Sequence, residues 1–376
     1  MASLRSRISN MNTDSLTPIF THDTFSAFFT SFMMERQIMK VKKAMKLALF
    51  FVFVIFGIAG VQPNSEAVTK HKVVWQSKVG EEFQVFMTDL DNPAAPTQLT
   101  NGQYGSKHPT IMNSVKRVYY YHFFPTAWGE GDQVFYRDLP DGKEYLVQRN
   151  AIHSEIDPCV SRNGNMLTYC SRQSLLGEYE SENWEICLLK TDFSEEKRIT
   201  HEIHDDLDPF VTADGSHVYF TIEIIEDKTE TEKKELRDAA KEKNEKLDEE
   251  SDEFLKKKLY YIYKNTFAGD SLERITPRDY SAWHPSISAN EQWMVFASNM
   301  DGNDEIYLMD LSTFEITRLT QSDGYDGKPC ISSDGDVIVF VSDRDGDKEI
   351  FSMNRFGKNL VQLTENDVED DSPFIT

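Results

Sequence analysis

Cations are scarce in this sequence. Its 376 residues hold 40 Lys and Arg against 63 Asp and Glu, a formal charge of −23 at pH 7. Phosphate recognition needs clustered cations, so the balance argues against nucleic acid as a partner. Glycine and proline, at 18 and 13 residues, are too few for a fibrous or low-complexity chain. Several catalytic signatures are also missing: there is no G-x-S-x-G elbow, no H-E-x-x-H helix and no G-x-x-x-x-G-K-[ST] loop, so serine-hydrolase, zincin and P-loop chemistry lack their usual marks. HEIH at 201–204 is one residue too short for a zincin pair. With 39% hydrophobic and 12% aromatic residues, the chain can still build a large core.

Only one segment resembles a membrane element. Leu47–Val61 (LALFFVFVIFGIAGV) is a fifteen-residue apolar run preceded by Lys40, Lys42, Lys43 and Lys46. It is short of the ~20 residues of a spanning helix and suits the apolar centre of an export signal. Ser65 and Ala67 supply small residues for cleavage after Ala67. Residues 39–67 therefore read as a signal peptide, or as a membrane anchor if uncleaved. Residues 1–38 read as a cytoplasmic or non-native extension, with translation starting at Met39. No Cys follows the apolar run, which argues against a lipoprotein anchor.

The rest of the chain, 68–376, is repetitive. Residues 287–320 align without a gap on 331–364, identical at twelve of 34 positions, at an offset within the range of propeller blades. A looser copy of the same skeleton recurs upstream. X-Pro pairs stand at Pro109, Pro158, Pro209, Pro285, Pro329 and Pro373, and Leu-Thr or Ile-Thr exits at Thr100, Thr200, Thr276, Thr320 and Thr364. Within a repeat, VIVFVS (337–342) and EIFSMN (349–354) flank Asp345-Gly346, a residue pair that favours tight hairpins. Each repeat supplies four short strands, and one four-stranded unit cannot bury both faces alone. His71 opens on a second-strand pattern without an X-Pro strand, while Asp371–Thr376 is an X-Pro strand without a successor. The expected fold is all-β: a six-bladed propeller closed by its C-terminal strand completing the first blade.

These repeats resemble the TolB-type β-propeller family, relatives of the WD-type propellers. The resemblance is carried by the X-Pro start, the Ser-Ser-Asp-Gly turn at 332–335, the VFVSDRDG segment at 339–346, the EIY and EIF strands and the closing Leu-Thr. It implies an exported, periplasmic module of the bacterial cell envelope that binds a protein or peptide. The family's namesake also carries an α/β domain ahead of its propeller, for which the stretch between Val68 and His71 has no room. The resemblance therefore carries over a fold and an expectation of binding.

In a propeller blade the second-to-third-strand loop and the loop into the next blade open on the same face, and the irregular features collect there. HFFPTAWGEG (122–131) brings Phe123, Phe124 and Trp128 to a turn, and SLLGEYESEN (174–183) is a second long loop. A charged insertion at 226–258 carries Leu236, Ala240, Leu247 and Phe254 as a thin apolar stripe on a helix or helical hairpin. It reads either as a solvated helix held by charge pairs or as an arm for docking a partner. The residues before the repeat prolines, His108, Asp157, Asp208, His284, Lys328 and Ser372, should ring the channel mouth, with His153, His204, Asp205, Asp206 and Trp283 alongside. Such a funnel could take a Lys- or Arg-bearing peptide, a sugar or a divalent cation. Asp343, Asp345, Asp347 and Glu349 alternate, but without the spacing of a calcium loop, and read as a plain hairpin.

Cys159 and Cys330 occupy equivalent first-strand positions three blades apart, beyond disulfide reach. Cys170 and Cys187 lie on adjacent strands of one blade and either pair or stay as buried thiols. The function expected is a non-enzymatic, monomeric binding module that needs no cofactor and meets a membrane only through residues 39–67. The alternative, implied by propeller lyases that cleave acidic sugars with a His cluster and a metal at the mouth, is a carbohydrate-active or sugar-binding protein with a His/Asp site.

Overall fold

The computed structural model describes residues 71–376, except 115, 127–128, 141, 148–153, 174–179, 202 and 244–245. The export segment, Trp128 and His153, the side chain of Phe124 and most of the 174–183 loop fall outside the described residues. Among those described, no helix is long and apolar enough to cross a membrane.

Lys70–Thr376 forms one compact unit built from six four-stranded antiparallel sheets. Blade 1 holds β1 (Lys72–Val79), β2 (Glu82–Asp89) and β3 (Asn92–Gln98). Blade 2 follows with β4 (Lys107–Ile111), β5 (Arg117–Thr126), β6 (Gly129–Asp138) and β7 (Glu144–Leu146). Blade 3 comprises β8 (Glu155–Val160), β9 (Met166–Gln173), β10 (Glu180–Lys190) and β11 (Glu196–Arg198). In blade 4, β12 (Asp205–Val211) and β13 (His217–Asp227) lead into helices α1 (Glu230–Lys243) and α2 (Asp252–Leu255), then β14 (Lys256–Thr266) and β15 (Glu273–Arg274). Blade 5 is β16 (Ala282–Ile287), β17 (Trp293–Ser298), β18 (Glu305–Asp310) and β19 (Glu315–Arg318). Blade 6 is β20 (Asp326–Ile331), β21 (Val337–Ser342), β22 (Glu349–Asn354) and β23 (Val361–Gln362). The last strand, β24 (Asp370–Ile375), returns to pair with β1.

Burial explains why these segments are apolar on both faces. Each blade is sandwiched between two neighbours, so inner strands such as β21 (VIVFVS) are buried almost throughout, whereas the outermost strand β3 (NPAAPTQ) is exposed along nearly its whole length. Buried apolar clusters fill the space between blades, for example Val295, Ile306, Ile331, Ile338 and Phe340. Stability rises from rim to axis accordingly, because apolar burial is roughly proportional to area removed from water.

Closure is as the sequence implied. β24 pairs with β1 through Val73 opposite Ile375 and Val74 opposite Phe374, and Lys72 and Thr376 exchange two further hydrogen bonds. Two boundaries differ from expectation. The aromatic segment of blade 2 is strand up to Thr126, so Phe123 and Phe124 extend β5 and do not sit in a turn. The blade 4 insertion is shorter than 226–258, because β13 runs to Asp227 and β14 begins at Lys256; the long ladder between them, from His217–Thr266 to Asp227–Lys256, satisfies backbone groups that a loop would leave to water. Helix α1 opens with a capping box in which the Thr229 N–H reaches Glu232 at 2.6 Å and the Glu232 N–H returns to the Thr229 hydroxyl at 3.3 Å.

Candidate functional site

In all six blades the first strand breaks register at its X-Pro pair. The irregularities fall between Val74 and Gln76 on β1 opposite β24, and between Lys107 and Thr110, Ile156 and Cys159, Leu207 and Phe210, Trp283 and Ser286, and Gly327 and Cys330. Proline has no N–H to give the ladder, so a bulge is the natural local solution. The residue before each proline adopts the left-handed region: φ is 46° at His108, 52° at Asp157, 51° at Asp208, 51° at His284, 48° at Lys328 and 52° at Ser372. For a side chain other than glycine this costs on the order of 1 kcal/mol each, and its sixfold repetition turns all six side chains toward the axis.

Those six residues line one funnel, together with their prolines and with Cys159, Phe210, Ser286, Cys330 and Phe374 below them, around about 600 Å³ of empty space that includes the open mouth. Around the ring the polar groups pair with their neighbours. His108 Nδ1 lies 2.6 Å from Asp157 Oδ1, His284 Nε2 lies 3.2 Å from Asp208 Oδ1, and Lys328 Nζ lies 2.7 Å from Asp371 Oδ1 and 3.2 Å from Ser372 Oγ. The Gln76 side chain accepts the His108 N–H at 2.8 Å. Burial pushes the Asp208 carboxyl up, but the His284 pair and the charge of His108 outweigh it and hold Asp208 at about 2. Asp371 is likewise held below the usual range, burial being outweighed by Lys328, His108 and Lys348. His284 Nδ1 is buried without a hydrogen-bond partner among the described residues.

Arg162 forms the floor. It follows β8 of blade 3, and its guanidinium crosses the axis to donate to the carbonyl of Ile331 in blade 6 at 2.7 Å and to that of Ile375 in β24. It lies 4.5 Å over the ring of Phe374 and is 4% exposed. The funnel is thus open at one end. Sequence reasoning missed this residue because nothing in SRNGN (161–165) marks a turn residue as reaching across a ring.

Of the expected site residues, His108, Asp157, Asp208, His284, Lys328 and Ser372 are brought together. Trp283 stands one step outside, packed edge-on against Tyr260 with ring centroids 5.8 Å apart. His204 lies half-buried in the loop before β12, away from the residues that line the funnel. Asp205 accepts the N–H of Trp184 at 2.8 Å. Phe123 is 36% exposed and packs against Tyr104. In the blade 4 arm Phe254 is buried and carries Arg237 5.0 Å above its ring, while Leu236 and Leu247 are half-buried, so part of the stripe serves the arm's own packing. The four cysteines are buried free thiols. Cys170 sits opposite Ile186 and Cys187 opposite Tyr169, so the two sulfurs leave opposite faces of the sheet and do not pair.

A closed ring of six blades around a one-ended polar funnel defines the class, a six-bladed β-propeller module. Residues 253–376 match the family described as the TolB beta propeller domain. Among solved structures, TolB from Acinetobacter baumannii superposes with a TM-score of 0.61 at 17% identity, covering 81% of this chain and 66% of that one. An Agrobacterium tumefaciens protein described as TolB gives 0.54 at 15% identity, with 78% and 88% covered. Kuenenia stuttgartiensis hydrazine synthase gives 0.56 at 12% identity, with 81% and 46% covered. The chain spans less than two thirds of the first and third of these proteins, and the likeness to all three is one of fold. No curated protein matches the sequence. The chain has the six-bladed β-propeller fold, and its residues 253–376 match the TolB propeller model.

Proposed function

We propose that this protein is an exported cell-envelope binding module that holds a segment of a partner protein at the funnel mouth. The observation that carries the reading is the convergence of six strained pre-proline residues, one per blade, on a single one-ended funnel. Backbone strain repeated six times around one opening is the kind of feature that binding sites retain. Export is supported by the Lys-flanked apolar run at 47–61. Among the described residues no group of three or more His, Cys, Asp or Glu could hold a metal ion.

The test uses the chain as bait in a bacterial envelope extract, with and without chelator, beside the Asp157→Ala/His284→Ala double variant. Capture of a discrete protein by the parent and its loss in the variant is the expected result, and chelator sensitivity would assign a role to a divalent cation. Capture of nothing in any condition, with binding of acidic oligosaccharides instead, overturns the reading. Amino-terminal sequencing of exported protein tests the signal: a start at Val68 is expected.

A further inference from the structure

A second tier of side chains stands at the mouth, and its chemistry is lopsided. The same backbone hydrogen bond marks the equivalent residue of each third strand: Leu99 to Val85, Val147 to Val134, Ile199 to Ile186, Ile275 to Ile262, Leu319 to Ile306 and Leu363 to Ile350. Two positions earlier, toward the mouth, stand Phe83, Asp132, Trp184, Tyr260, Asp304 and Lys348, all half-buried. Lys348 is committed to Glu369 at 3.2 Å and Asp371 at 3.6 Å. The carboxylates of Asp132 and Asp304 have no ion pair or hydrogen bond among the described residues. They sit on blades 2 and 5, opposite one another; on one side the two blades between them carry Trp184 and Tyr260, on the other Lys348 and Phe83. Trp283 extends that aromatic sector against Tyr260.

Three physical facts single out a cation as the missing group. Burial pushes both carboxyls above the ordinary aspartate range; Lys107, His122 and Asp157 are the charges that act on Asp132, and His284 and Glu305 those that act on Asp304. A half-buried carboxylate whose neighbouring cations stand beyond ion-pair distance is relieved by an incoming cation and penalised by an anion. The chain itself shows the aromatic sector accepting a cation, since the Arg172 guanidinium lies 4.5 Å over the ring of Trp184. The net charge of −23 would draw a basic ligand toward the protein from a distance.

We infer that the mouth takes a basic peptide segment of its protein partner, with Lys or Arg side chains meeting Asp132 and Asp304 and lying against Trp184 and Tyr260 between them. The inference rests on the binding-module reading and deepens it by naming the chemistry of the partner. It is tested by selecting a phage-displayed library of random dodecapeptides on the full chain and measuring a synthetic copy of an enriched peptide by fluorescence anisotropy. Enriched sequences carry Lys or Arg, and binding weakens by roughly tenfold or more in Asp132→Asn/Asp304→Asn. A matched control, Glu195→Gln/Glu315→Gln, removes the same charge from exposed positions at the start of fourth strands and changes affinity less than about twofold. Enrichment of acidic or apolar sequences, no enrichment, or equal weakening in both variants overturns the inference, the last because it reports only diffuse attraction to an acidic protein. A partner captured from the extract that is lost with Asp157→Ala/His284→Ala but indifferent to Asp132→Asn/Asp304→Asn would leave the binding-module reading in place and remove this one.

Discussion

The threonine that ends five of the six repeats works as a buried hydrogen-bond relay. Its hydroxyl accepts the third-strand N–H of Val85 (Thr100, 2.8 Å), Ile186 (Thr200, 2.8 Å), Ile262 (Thr276, 2.9 Å), Ile306 (Thr320, 2.9 Å) and Ile350 (Thr364, 2.8 Å). At Thr320 it also donates to Glu305 Oε2 at 2.6 Å, and Arg318 holds the other oxygen at 2.7 Å. Thr320→Val keeps the shape, strands a buried N–H and takes a donor from Glu305, so it should cost about 1–3 kcal/mol in denaturant unfolding. Glu155 is buried at 3% exposure, and burial together with the nearby Glu196 raises its pKa to about 8, against a hydrogen bond from the Val134 backbone. Its folded pKa lies above its unfolded one, so its stabilising contribution is fully present below the ordinary glutamate range and is lost as pH rises through about 8. Glu155→Gln should therefore melt higher than the parent at pH 8 and alike at pH 4, each 1 kcal/mol being worth about 2 °C in a domain of this size. The Leu-Thr exit was readable as a repeat mark, yet its hydrogen bonds were not, because the partner N–H lies 14 residues away in four of these pairs and 15 in the other.

At the scale of the element, the first strand of each blade carries both the fold and the site. Its proline forces the bulge, and the bulge turns the preceding side chain inward. β24 does this for blade 1 and also supplies the Ile375 carbonyl to Arg162 and the Asp370 carboxylate to Trp75 Nε1 at 3.2 Å. Deleting residues 368–376 strips blade 1 of its inner strand and the floor of one anchor, so the single thermal transition should broaden and fall by far more than nine average residues would explain. An unchanged transition would count against closure by this strand. Helical spacing at 226–258 was read correctly as to type, but its ends were misplaced, since charged residues such as Glu226, Lys257 and Lys258 are as compatible with an exposed hairpin ladder as with a helix. The register of Cys170 and Cys187 was likewise beyond sequence reasoning: an offset of one residue moves a side chain to the other face of a sheet.

Across the whole molecule, Arg162 ties blade 3 to blade 6 and to the closing strand at the one place where all six blades approach the axis. Arg162→Met fills similar space and leaves the carbonyls of Ile331 and Ile375 without donors, which should cost roughly 2–4 kcal/mol by denaturant midpoint; an unchanged midpoint would mean that the ring holds its floor without this tie. By itself the sequence determined the architecture and the ring of candidate residues. The reason is that a repeat states the same local instruction six times, so the X-Pro bulge, the hairpin turn and the exit threonine are legible even where individual blades have drifted. Only the tertiary structure decided what the ring faces: the ion pairs His108–Asp157 and His284–Asp208, the floor made by Arg162, and the carboxylates of Asp132 and Asp304, without an ion pair among the described residues, on either side of Trp184 and Tyr260. Those relations join residues of different blades, and no local pattern in the chain encodes which blades meet across an axis.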